Sequence, residues 1–363
     1  VGYPVFAEGP DHSTLERFEV WVCFHQHRTL FDEVLRQIDR DFPHDRQQPQ
    51  IGDTYALQAN AAKESLVRLI RHTAQRLLAT LAKADSTREQ QVRAQLDLDA
   101  LLGAKGELGE HHLKPEERAA RLQTTVLAAL TCARLVRLHL EQPVPLPAEA
   151  RASVLPWLER LDKIITDEVQ LIADDTGCVT RVVERAADAK GGYRLGSATD
   201  PAATYRVHGD DKKDFGYNVS VAVTGNFIRE IQADTGAQPD PVAIPALLET
   251  QRQYHDLVPA KFIYDAAAGA GKTRAQVNHA TNGRTQLVSP LLPYEKRTDL
   301  FTPERFQLSD DGTLLTCPHG QTTAIAYRSG SGDGRVFRFL GRQCTGCPLW
   351  TQCRSHKLGS KAM

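Results

Sequence analysis

The sequence predicts an α/β protein: a mixed sheet flanked by helices, with a large α-helical insertion after the first strand and a Cys-rich C-terminal module. Three observations predict it. Residues 51–57 and 217–223 alternate apolar and polar side chains, as half-buried strands do. Residues 61–172 carry their apolar side chains at helical spacing instead. After Gly177, strand-like and helix-like segments follow one another around a hairpin signal, the order of an α/β domain. The chain has 363 residues, about two ordinary domains' worth, and its 41% hydrophobic content suffices for real cores.

The elements follow in order. Residues 1–48 form an N-terminal helical region: Asp11 offers an N-cap ahead of Leu15, Phe18 and Val22, and residues 30–38 repeat the periodicity. A polar, Gln-rich linker is expected at 45–50. The strand at 51–57 then places Asp53 and Tyr55 on one side. The helical insertion spans 61–173, with Leu66, Leu69, Ile70, Leu77, Leu78 and Leu81 on one face and Leu122, Val126, Leu127, Leu130 and Leu138 on another. Pro115 marks a helix start, and Pro143, Pro145 and Pro147 break the next junction. Within 61–172 stand 16 Lys/Arg and 15 Asp/Glu, the balance of a packing module.

The sheet continues at 217–223, turns at Gly225-Asn226 and returns from Phe227 to Ile231. A helix bearing Ile244, Leu247, Leu248 and Tyr254 follows. Next come a strand at 261–264 ending in Asp265, a helix at 270–280 and a strand at 285–292. The sheet core is thus expected from 49–60 and 174–300, and residues 301–363 form a basic, Cys-rich module.

Charge and cysteine usage bound the function. Lys+Arg of 44 against Asp+Glu of 45 gives a net charge of −1, which excludes a histone-like polycation or an acidic tail protein. Nucleic-acid binding stays open, because it depends on where charge sits. From Leu315 onward there are seven Lys/Arg and one acid, Asp333. No apolar run reaches the roughly 18 residues of a membrane helix, and no signal peptide opens the chain, so a membrane is not an expected partner. Seven cysteines, an odd number, point to a reducing cytoplasm. The Val1 start and the Gly-Ser-Lys stretch before Met363 read as the ends of a fragment.

Three constellations can carry chemistry. Residues 266–273, Ala-Ala-Ala-Gly-Ala-Gly-Lys-Thr, follow a strand and open a helix, as a phosphate-cradling P-loop does, with Ala in place of the first Gly. A P-loop-like nucleotide-binding protein is therefore one alternative. Asp53 and Asp265 are strand-borne carboxylates, able to share divalent ions for phosphoryl chemistry or to serve as caps and turn residues. Cys317, Cys344, Cys347 and Cys353 make a candidate zinc set: Cys344-Thr-Gly-Cys347 has a two-residue spacer, with His319 and His356 as substitute ligands. Reduced surface thiols are the plain alternative. Cys23, Cys132 and Cys178 are expected to be buried side chains.

The order of motifs resembles a known family. Residues 49–60, with Asp53-Thr54, resemble the first catalytic segment of bacterial insertion-sequence DDE transposases, where an Asp followed by Ser or Thr lies on the first strand of a ribonuclease H-like fold. Residues 197–223, from Ser-Ala-Thr-Asp200-Pro201 through Phe215-Gly216-Tyr217-Asn218, resemble the hairpin that follows. Residues 261–273 resemble the second catalytic segment, and residues 11–18 and 30–35 the N-terminal helical region. The resemblance implies a ribonuclease H-like mixed sheet and metal-dependent cleavage and strand transfer at transposon ends. It implies Asp53 and Asp265 as ligands of a two-magnesium site, double-stranded DNA (transposon ends and target) as partner, and a homodimer in a synaptic complex. The setting it implies is bacterial cytoplasm, associated with the nucleoid.

Two departures stand out. Asp265 is followed by three alanines and Gly269, whereas many members have a small residue, Gly and Tyr. The third acid, a Glu on a later helix, has no match; Glu295 and Glu304 do not fit the motif. The chain is accordingly expected to be impaired for cleavage, and a non-catalytic DNA-binding transposase remnant is the second alternative. Arg206, His208, Lys212 and Lys213 are candidate phosphate contacts near the hairpin, or solvated strand residues together with Tyr217.

Overall fold

In the computed structural model, residues 11–208, 212–290, 300–328, 335–353 and 361–362 are described. Two helices open the chain, α1 (His12–His25) and α2 (His27–Asp41), before strand β1 (Gln50–Gln58). Helices α3 (Leu66–Ala84), α4 (Ser86–Arg93), α5 (Leu98–Leu102), α6 (Pro115–Leu140) and α7 (Ala148–Glu168) follow. Then come β2 (Val169–Ala173), β3 (Val179–Glu184), β4 (Thr204–His208), β5 (Lys212–Val223) and β6 (Ile228–Thr235). The alternating part is α8 (Ile244–His255), β7 (Lys261–Ile263), α9 (Gly271–Ala280) and β8 (Gln286–Val288). The C-terminal stretch holds β9 (Gln307–Leu308), β10 (Leu315–Thr316), β11 (Thr322–Thr323), β12 (Ala326–Arg328), β13 (Arg335–Phe339), α10 (Gly341–Cys344), α11 (Trp350–Cys353) and β14 (Lys361–Ala362).

The main sheet runs β4-β5-β1-β7-β8, with β6 also paired to β5. It is mixed: β1, β7 and β8 are parallel, whereas β4 and β5 are antiparallel. The chain divides into two compact units, and the division falls within β1, β5 and β6.

One unit comprises residues 55–219 and 233–239. Its core is the helical insertion that the apolar spacing foretells: Ile70, Ala74, Leu77, Leu78 and Leu81 of α3 are wholly buried with Val126, Ala129 and Val136 of α6 and Leu161 of α7. Pro115 occupies the first turn of α6, where its missing N–H costs no helical bond. Residues 169–173, expected inside the insertion, instead form β2 and pair antiparallel with β3. The strand takes over where α7 ends at Val169, whose backbone is already extended.

The other unit comprises residues 1–54, 220–232 and 240–363. Asp11 caps α1 as expected, its carboxylate accepting from the Ser13 and Thr14 N–H groups. The expected linker is not one. Residues Pro43–Gln47 make a 3-10 turn, and Asp45 is buried there as the acceptor for Thr224 and for the guanidinium of Arg229, itself 1% exposed. A buried carboxylate needs such partners, and the pattern of one strand or helix does not reveal them. Behind the strands Ala222, Ile244, Leu248, Phe262, Tyr264, Val277 and Leu287 close a core between the sheet and helices α8 and α9. Gln50 of β1 and Gln251 of α8 exchange two buried amide hydrogen bonds, 2.8 and 3.0 Å.

Candidate active site

Strands β1 and β7 are parallel neighbours with Gln50 opposite Phe262 and Ile51 opposite Ile263. Continuing that register by two residues sets Asp53 level with Asp265, on chains about 4.8 Å apart. Beyond the last residue of β7 the backbone stays on course: Tyr264 N–H donates to the Val288 carbonyl at 2.9 Å, and Asp265 is extended at φ −66°, ψ −178°.

Alternation decides the face. Gly52, Phe262 and Tyr264 point into the core, so Ile51, Asp53, Ile263 and Asp265 point away from it. That face is open: Ile51 is 47%, Ile263 37% and Val288 39% exposed, and both carboxylates are exposed. Gly52 is required here, since a Cβ would stand 2.6 Å from the Phe262 ring and 2.7 Å from that of Tyr264.

The two aspartates also make local bonds. Asp53 Oδ1 accepts from the Thr54 N–H at 2.7 Å, and Asp265 Oδ1 from the Ala267 N–H at 2.9 Å. Asp265 thus caps the 3-10 turn Ala266–Gly269, the structural role open to any strand-end Asp. The same bonds bear on the P-loop pattern. The Ala267 N–H is held by the Asp265 side chain and the Ala268 N–H by the Asp265 carbonyl, so two amides of the turn face protein acceptors. Lys272 is exposed and Thr273 buried in the first turn of α9.

Tyr264 shows what these carboxylates do electrically. Burial pushes its phenol well above the usual range, and the negative charges of Asp240, Asp265 and Asp53 push the same way. Three carboxylates therefore impose a negative potential at this strand end. Asp240, in the 3-10 turn Asp240–Ala243 that leads into α8, has no motif in the sequence; only the packing of that turn against Ala266–Gly269 brings it near. Among the described residues, no three His, Cys, Asp or Glu side chains are gathered closely enough to hold a metal ion.

The hairpin residues fall in the other unit. Asp200 makes a turn, accepting from the Ala203 N–H at 3.1 Å, and its other oxygen accepts the Tyr217 hydroxyl hydrogen, which pushes the Tyr217 phenol up to about 12. Arg206 is 9% exposed and lies opposite Asp214 in the β4–β5 register; Lys213 is exposed. The side chains of His208 and Lys212 lie outside the described residues, as do Glu295 and His356.

Cys317, Cys344, Cys347 and Cys353 line one small cavity with Phe306, Phe339 and Trp350. Cys132 is buried, and burial pushes its thiol up to about 12, but Cys23 and Cys178 are exposed, contrary to expectation. Cys23 sits on α1, where Phe18, Trp21 and Phe24 are themselves exposed, so among the described residues that face stays open to solvent. Cys178 belongs to the turn between β2 and β3, its N–H donating to the Asp174 carboxylate.

No protein-family model, curated protein or solved structure matches this chain. Among the described residues, no helix is long and apolar enough to cross a membrane.

Proposed function

We propose that the protein is a DNA transposase of the DDE type, with a ribonuclease H-like core, acting on DNA phosphodiesters at transposon ends as a dimer on two DNA segments. The observation that carries the reading is the level placement of Asp53 and Asp265 on neighbouring parallel strands at an open sheet face. The two segments that resemble catalytic motifs stand far apart along the chain, yet they meet there as adjacent strands.

The donor set suits a hard divalent cation: two exposed carboxylates, with Asp240 adding to a field that already disfavours negative charge on Tyr264. Asp53 and Asp265 would hold magnesium, which when bound activates a water or a 3′-hydroxyl and stabilises the leaving oxygen. The chain's own part is positional. The register fixes the two carboxylates level with each other, and the Thr54 and Ala267 amides each orient one carboxylate oxygen. The Gly52 gap lets Phe262 and Tyr264 seat β7 tightly against β1.

The test is manganese binding to the 363-residue chain, followed by paramagnetic resonance, with Asp53→Asn and Asp265→Asn compared. Saturable binding that weakens by about tenfold or more in each variant supports the reading, since each loses one carboxylate ligand. Binding indifferent to both substitutions would reject it.

A further inference from the structure

We propose that Cys317, Cys344, Cys347 and Cys353 bind one zinc ion that holds the C-terminal module together. Three of the four thiols come from two tight turns. In Cys317-Pro-His-Gly320 the Gly320 N–H donates to the Cys317 carbonyl at 2.8 Å, and Gly320 takes φ +77°. In Cys344-Thr-Gly346-Cys347 the Cys347 N–H donates to the Cys344 carbonyl at 3.2 Å, and Gly346 takes φ +73°. Each turn carries its glycine in the left-handed region, where other residues are strained. The fourth thiol, Cys353, ends α11, one turn after Trp350.

The turns converge. All four cysteines line a single cavity of about 30 Å³, walled by Phe306, Phe339 and Trp350, and Cys317, Cys344 and Cys353 pack against the cluster of Phe306, Leu315, Phe337 and Phe339. Four thiolates are a complete tetrahedral ligand set for one zinc ion. The thiols line the cavity without standing at ligating distance of a common point, so binding draws the two turns inward. Among the described residues no disulfide is formed.

The module also needs a fastener. Its core cluster contains four buried side chains, and its strands β9, β10 and β11 are two residues each. So small a core rarely sustains a fold without metal or disulfide. Charge agrees: a zinc tetrathiolate carries a formal charge of −2, and residues 315–363 hold seven Lys/Arg against one acid. Binding turns thiols into thiolates and releases their protons to solvent, while the soft sulfur donors favour zinc over magnesium.

The experiment is metal analysis of the full chain purified without chelator, joined to thiol counting by alkylation. About one zinc per chain is expected, with Cys23 and Cys178 alkylating before chelation and four further thiols only after it. Cobalt(II) added to the chelated protein should give the intense visible absorption of a tetrahedral thiolate site. Cys347→Ser should abolish that absorption, and Cys178→Ser should leave it intact. Iron with sulfide, no metal with no cobalt spectrum, or zinc retained in both Cys344→Ser and Cys347→Ser would overturn the proposal. The cobalt titration of the native chain keeps the test decisive if a variant fails to fold. None of these readouts depends on Asp53 or Asp265, so this proposal and the transposase reading stand or fall separately.

Discussion

A single hydrogen atom at position 52 decides how closely β1 and β7 approach. Any Cβ there meets ring carbons of Phe262 and Tyr264 below 3 Å, and both rings are buried. Gly52→Ala should therefore cost about 1–3 kcal/mol, the usual range for overpacking, and lower the midpoint of a denaturant titration. Gly216, in the motif Phe215-Gly216-Tyr217-Asn218, is more constrained: a Cβ would stand 2.0 Å from the Leu57 carbonyl oxygen. Backbone cannot yield as a side chain does, so Gly216→Ala should be the more damaging substitution of the two in the same titration. Both glycines are visible in the sequence, but the atoms that require them lie elsewhere in the chain.

At the scale of elements, the strands and helices were the legible part. The alternation at 51–57 appears as β1 with Asp53 and Tyr55 on the exposed side, and the hairpin signal at Gly225-Asn226 joins β5 to β6, with Thr224 N–H donating to the Phe227 carbonyl. The 3-10 turn Pro43–Gln47 was not legible, because what makes it an element is a bond to β6. Arg229 donates to Asp45 and Asp39, and Thr224 adds a hydroxyl, so the polar run at 45–50 is fastened rather than loose. Removing Asp45 would leave Arg229 paired with Asp39 but take the acceptor from its Nε and Nη2 groups in the interior. Asp45→Ala should accordingly cost about 1–3 kcal/mol in chemical unfolding, beyond the change expected for an exposed Asp such as Asp188.

For the whole molecule, the net charge of −1 conceals an uneven distribution. The helical insertion is balanced, whereas residues 315–363 carry an excess of six positive charges, Arg335 and Arg342 among them and both exposed. If this region meets DNA phosphates, duplex affinity should fall linearly on a log–log plot against salt. The double variant Arg335→Ala, Arg342→Ala should flatten that slope by about two, one for each phosphate no longer neutralised. Fluorescence anisotropy with labelled duplex across a salt series measures it; an unchanged slope would place DNA binding on other residues.

The sequence alone determined the periodicities, and with them the α/β class, the helical insertion and the placement of Asp53 and Asp265 at strands. Those properties are local: they follow from the spacing of apolar side chains along a few turns or a few residues of strand. The tertiary structure decided which distant residues meet. It set Asp53 level with Asp265, drew Asp240 toward Tyr264, buried Asp45 against Arg229 and brought four cysteines to one cavity. Strand order and register are products of the whole chain's packing, so no window of sequence contains them.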